Sequence, residues 1–131
     1  MVYWETAHTV PDQQRFELGF AKQWQAAEKI VYSRTLAEPP SARTRIEREF
    51  DPGAVRRLKA GAKHDTTVDR PELAAHAIRA GLVDKFQMFV CPVVVDGGKR
   101  FFPGGVQLDL ELAEERRFRK GMVFFRYAFR R

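Results

Sequence analysis

Apolar positions along this chain change their period several times, and each change marks an element. Phe16, Phe20 and Trp24 recur every four residues, the spacing that lines side chains along one face of an α-helix. Ahead of them, Thr9-Val10-Pro11-Asp12 offers a capping hydroxyl, a first-turn proline and an early acid. A helix over about 11–28 is predicted, its aromatic stripe serving as core packing. Lys29-Ile30-Val31-Tyr32-Ser33 is short, apolar and β-branched, which predicts a buried strand. After the break at Pro39-Pro40-Ser41, Ile46 and Phe50 alternate with charged residues, the mark of a second, more exposed strand.

Asp51-Pro52 opens a second helix, with the acid as N-cap and proline in first position. Val55 and Leu58 face inward and Gly61 sits near its stop. Residues 65–68 form a brief strand candidate. Pro71 then opens a third helix with Leu73, Ala74, Ala77 and Ile78 as its apolar face, and Gly81-Leu82 closes it. Residues 86–95 are nearly all apolar, which predicts a central strand covered on both faces. Leu108, Leu110 and Leu112 alternate with Asp109 and Glu111 as in a half-buried strand. Arg119-Lys120-Gly121 can turn, and residues 122–129 return as an aromatic-rich strand, giving a C-terminal antiparallel hairpin. The order helix, strand, strand, helix, strand, helix, strand, hairpin is that of an α/β sandwich, its sheet mostly parallel with an antiparallel edge. Without repeats, low-complexity tracts or a linker, residues 1–131 read as one domain.

Composition narrows the class. The chain is 44% hydrophobic and 12% aromatic, more than a disordered chain carries. Its one cysteine, Cys91, cannot form an intramolecular disulfide. Within an apolar run it is expected as an inert core thiol, and the cytoplasm is the natural compartment. The first residues hold no basic stretch followed by an apolar one, and no run reaches the ~20 residues that span a bilayer. The net charge of +6 raises a nucleic-acid reading. However, the signs alternate in T-R-I-E-R-E-F (44–50) and E-E-R-R (114–117) as on a solvated face, and the local excess is confined to Arg126, Arg130 and Arg131. An anionic small ligand accounts for the charge as well, and nucleic-acid binding ranks below it.

Two strand-to-helix junctions are candidates for chemistry, because amides at a helix N-terminus favour phosphate. At Ser33-Arg34-Thr35-Leu36, two hydroxyls flank a guanidinium, a donor set that can hold phosphate; a solvated turn is the competing reading. Val68-Asp69-Arg70-Pro71-Glu72 has a suitable position but brings an acid, and Asp69 reads as a helix N-cap. Asp96-Gly97-Gly98-Lys99 and Pro103-Gly104-Gly105 read as turns. His8, His64 and His76 are scattered, so no metal site is expected. No serine or histidine forms a nucleophilic triad.

Taken together and in order, K-I-V-Y-S-R-T-L (29–36), L-A-A-H-A-I-R-A-G-L-V-D (73–84), F-V-C-P-V-V-V-D-G-G-K-R-F-F (89–102) and the hairpin with Gly121 and Tyr127 resemble the dihydrofolate reductase-like family, in its riboflavin-biosynthesis reductase branch. Met1-Val2-Tyr3-Trp4 is similar to the tail of that family's preceding helix. The resemblance implies a three-layer sandwich lacking the family's N-terminal strands. It also implies an NADPH-dependent reductase of a pterin- or pyrimidine-like heterocycle, of the 5-amino-6-(5-phosphoribosylamino)uracil reductase type. Ser33, Arg34, Thr35 and Leu36 would meet the adenosine 2′-phosphate, and Val68, Asp69, Arg70 and Glu72 the diphosphate. Pro92, Gly97 and Gly98 would border the substrate. No catalytic acid can be named, because the family's candidates precede Met1. Where the family carries Gly-Gly before the third helix, this chain has Asp69-Arg70. A homodimer is expected to cover what the absent strands would leave open. The alternative reading is a degenerate, non-catalytic homo-oligomer that keeps the scaffold.

Overall fold

The computed structural model describes residues 15–130, which fall into two compact units, one ending at Phe50 and the other beginning at Asp51. The capping signals at 9–12, His8, the Met1–Trp4 motif, the side chain of Phe16 and residue Arg131 lie outside the described residues.

In the first unit, helix α1 (Arg15–Ala26) buries Ala21, which is only 1% exposed. Lys29 ends it: its Nζ donates to the carbonyls of Trp24 (2.8 Å) and Ala27 (3.0 Å) and lies 5.1 Å from the Trp24 ring centroid. A cation there complements the carbonyl end of the helix. Strand β1 (Lys29–Tyr32) then pairs in parallel with β2 (Thr44–Glu47), from Lys29↔Thr44 to Tyr32↔Glu47. The expected buried strand is half-buried along its length. β2 alternates between half-buried and exposed, as its charge pattern predicts. The crossover between them contains no helix, since Pro39-Pro40 interrupts it.

In the second unit, helix α2 (Pro52–Gly61) starts as its sequence dictates: the Asp51 carboxylate accepts from Gly53 N at 2.9 Å, with proline next in line. Helix α3 (Pro71–Arg79) ends in a Schellman arrangement. Gly81 takes φ +69°, Leu82 N donates to Ala77 O at 3.0 Å, and Leu82 is buried. α2 grips that exit through Lys59 Nζ, which reaches Leu82 O (2.6 Å) and Asp84 Oδ2 (2.7 Å).

Strands β3 (Lys85–Val90), β4 (Leu110–Arg117) and β5 (Val123–Phe129) form an antiparallel sheet in the order β3-β5-β4. The register Phe86↔Tyr127 stacks those rings at 5.4 Å, and Phe101, Phe102 and Phe129 close around Phe86 at 5.6, 4.9 and 6.1 Å. Such pairs add about 0.5–1.5 kcal/mol each beyond simple burial. Phe124, on the opposite face of β5, is buried as well. The hairpin turns through Lys120 (φ +69°) and Gly121 (φ +86°). A side chain at Gly121 would begin 3.3 Å from Pro92 Cβ, so glycine is needed there for close approach.

Four expectations are corrected. Residues 65–68 form no strand. β3 stops at Val90, and Cys91-Pro92-Val93 makes a tight turn with Val93 N donating to Cys91 O at 2.8 Å. Proline supplies no N–H for a ladder, which is why the apolar run does not continue as a central strand; Val94 is 98% exposed and β3 lies at the edge of its sheet. Cys91 is exposed rather than a core thiol. Finally, parallel pairing among the described residues is confined to β1–β2, so the sheet content is mixed rather than mostly parallel.

Candidate functional site

The first junction is held together by its own side chains. Ser33 N extends the strand by donating to Glu47 O at 3.0 Å. Ser33 Oγ then accepts from Thr35 N (3.3 Å) and Leu36 N (3.1 Å) and lies 3.5 Å from Thr35 Oγ1. This turn satisfies two backbone donors that the end of a strand would otherwise expose. From β2's side, Arg48 Nη1 donates to Ser33 O (2.9 Å) and Leu36 O (2.6 Å), pinning both ends of the turn.

What remains for a ligand is the Arg34 guanidinium, with the Thr35 hydroxyl nearby. Arg34 is 79% exposed and faces Glu49 at 3.4 Å. An exposed pair of that length contributes no more than about 1 kcal/mol, so a phosphate can displace the carboxylate. Arg48 was not foreseen from the sequence. Its signal lay in T-R-I-E-R-E-F, which reads as a solvated face until the turn it reaches is known.

The second junction is built differently. Asp69 does not cap α3, which corrects the sequence reading: its Oδ1 accepts from Arg70 N at 2.9 Å, and the cap position belongs to Arg70, which makes no side-chain capping bond. Arg70 has φ +73° and ψ +132°, a conformation natural to glycine and strained for any residue with a Cβ. The amide that could approach an anion is thus already bonded to a carboxylate. Val68 is 40% exposed. Glu72, in the first turn of α3, pairs with Lys99. The hydrogen bond from Lys99, and then its charge, hold the Glu72 carboxyl below its ordinary pKa.

The candidate substrate residues lie in the same unit. Pro92 packs on Gly121 at the hairpin turn, while Gly97 and Gly98 take φ +79° and +125° with open space around them. None of the three lines the cleft of about 280 Å³ that opens between α3 and residues 99–104. Among the described residues, no three His, Cys, Asp or Glu side chains converge as metal ligands, and no helix is long and apolar enough to cross a membrane.

The family model of the RibD C-terminal domain matches residues 2–124. The chain belongs to that family. It is a riboflavin-biosynthesis, reductase-like family, which is consistent with a nicotinamide cofactor. The fold is similar to the crystal structure of a “Putative riboflavin biosynthesis protein” from Shewanella sp. PV-4. That likeness has a TM-score of 0.68 at 15% identity and covers 98% of this chain and 87% of that one. No curated protein matches the chain.

Proposed function

We propose that this RibD C-terminal domain protein is an NADPH-dependent reductase of a pterin- or pyrimidine-like heterocycle, built on a dihydrofolate reductase-like sandwich. The observation that carries the reading is the Ser33–Leu36 turn. It is preorganised by Ser33 Oγ and Arg48, while Arg34 faces solvent with only a weak carboxylate partner. Preorganised donors cost little to order on binding, and a guanidinium beside a hydroxyl suits the cofactor's 2′-phosphate. The cofactor, when bound, supplies the hydride; the protein orients it and keeps water away.

Within the second unit, Val68, Asp69, Arg70 and Glu72 are the residues that the resemblance assigns to the diphosphate. Here the fit is poorer, because Asp69 occupies the Arg70 amide. Pro92, Gly97 and Gly98 remain the proposed border of the substrate. The proposed setting is the cytoplasm and the proposed form a homodimer, supported by the exposed apolar residues Val93, Val94 and Val95.

The test is NADPH oxidation, followed by absorbance, against a panel of pterins and aminopyrimidines. We expect turnover with at least one, and in Arg34→Ala a KM for NADPH raised about tenfold with kcat little changed. A folded chain that neither binds nor oxidises NADPH would instead favour a second reading, a non-catalytic homo-oligomer. The observation in favour of that reading is the bonded, strained Asp69–Arg70 junction.

A further inference from the structure

The cleft between α3 and residues 99–104, about 280 Å³ in volume, shares Glu72 with the reductase reading but has two arginines, Arg79 and Arg100, that the reading does not use. Ala75 and Phe102 contribute apolar surface, while Arg79, Lys99 and Arg100 bring three cations and Glu72 one anion. Lys99 is matched by Glu72, which leaves two guanidiniums uncompensated. Both meet at Gly104: Arg79 Nη2 makes a long contact of 3.4 Å with its carbonyl. Arg100 Nη1 lies 3.7 Å from where a side chain on that glycine would begin. Among the described residues, Arg100 has no ion pair or hydrogen bond.

Two like charges brought together beside a concave, partly apolar surface repel one another until an anion joins them. Guanidinium forks match phosphate oxygens, and two net positive charges match a dianion. The volume lies just below the range of ligand cavities, about 300 to 1,000 Å³, so the occupant is a small molecule rather than a whole dinucleotide.

We infer that this cleft is a binding site for a small organic phosphate monoester, its dianion held by Arg79 and Arg100 and its carbon skeleton against Phe102. Glu72 works against the anion and keeps Lys99 turned to itself. The Lys99–Glu72 pair therefore sets the affinity rather than supplying it. The inference shares Glu72 with the reductase reading but rests on Arg79 and Arg100, and none of its argument uses the Ser33–Leu36 turn.

The experiment is calorimetric titration of the full chain with phenyl phosphate at low ionic strength, with phenol as the uncharged control. We expect saturable binding of phenyl phosphate, none of phenol, and about tenfold weaker binding in each of Arg79→Ala and Arg100→Ala. Glu72→Gln removes a repulsive charge and should tighten binding severalfold, a gain that a misfolded variant could not produce. Arg34→Ala should leave phenyl phosphate binding intact whatever it does to NADPH, so the two proposals fail separately. Absence of saturable binding, indifference to both arginine substitutions, or displacement of phenyl phosphate by NADPH would overturn the assignment.

Discussion

The two junctions of this protein stand where phosphate binding is expected, yet they are made in opposite ways. At Ser33–Leu36 the sequence builds the turn it needs: a hydroxyl takes two amides, and Arg48 takes two carbonyls. At Val68–Glu72 the backbone adopts a glycine-like conformation that its sequence opposes, with Arg70 at φ +73° and Asp69 bonded to its amide. A backbone course can thus be held without the residues best suited to it. The first junction is held by its own side chains, whereas the second holds its shape against local preference.

Substitutions that loosen the first and relax the second should separate them. The largest effect is expected from Arg48→Ala, which removes two hydrogen bonds from a charged donor. A loss of about 2 kcal/mol in urea denaturation is expected, together with weaker NADPH binding although Arg48 touches only backbone. Unchanged stability would mean that Ser33 Oγ alone holds the turn. Arg70→Gly should act in the opposite direction. Relief of the strained φ exceeds the added entropy of the unfolded chain, giving a net gain of about 1 kcal/mol. A lower Tm would show that Arg70 makes a compensating contribution.

The smallest effect concerns protonation at the second junction. Glu72's carboxyl pKa is lowered in the folded protein by Lys99. Its contribution is therefore present above the carboxyl's unfolded pKa and is lost as pH falls through the lower folded value. NMR titration should show Glu72 protonating below the usual carboxylate range, and Lys99→Ala should return it to normal. An unshifted Glu72 in the intact protein would mean that the pair is open in solution.

Much of the fold was legible because its signals are local. Asp51-Pro52 caps and opens α2, Gly81-Leu82 closes α3, and the Leu110/Leu112 alternation with its aromatic return makes the hairpin. The errors arose where burial decides. Residues 91–95 are apolar enough for a core strand, but Pro92 cannot donate to a ladder, and the exposure of Val94 follows from where the chain runs afterwards. Pro92 was itself a signal against a continuous strand. At the candidate sites, Ser33, Arg34 and Thr35 were readable as donors. Arg48 was not, because its partners are carbonyls twelve and fifteen residues away in sequence. Asp69 reads as an N-cap in the sequence because an N-cap and a bond to the next amide use the same residue type at the same place.

We propose above all that the Ser33–Leu36 turn grips the cofactor's 2′-phosphate. The most direct test titrates the protein with NADPH and with NADH, which lacks that phosphate, before and after Arg34→Ala. We expect a preference for NADPH of about tenfold or more, equivalent to about 1.4 kcal/mol, that Arg34→Ala removes while leaving NADH binding as it was. Equal affinity for the two cofactors, or a preference that survives the loss of Arg34, would contradict it.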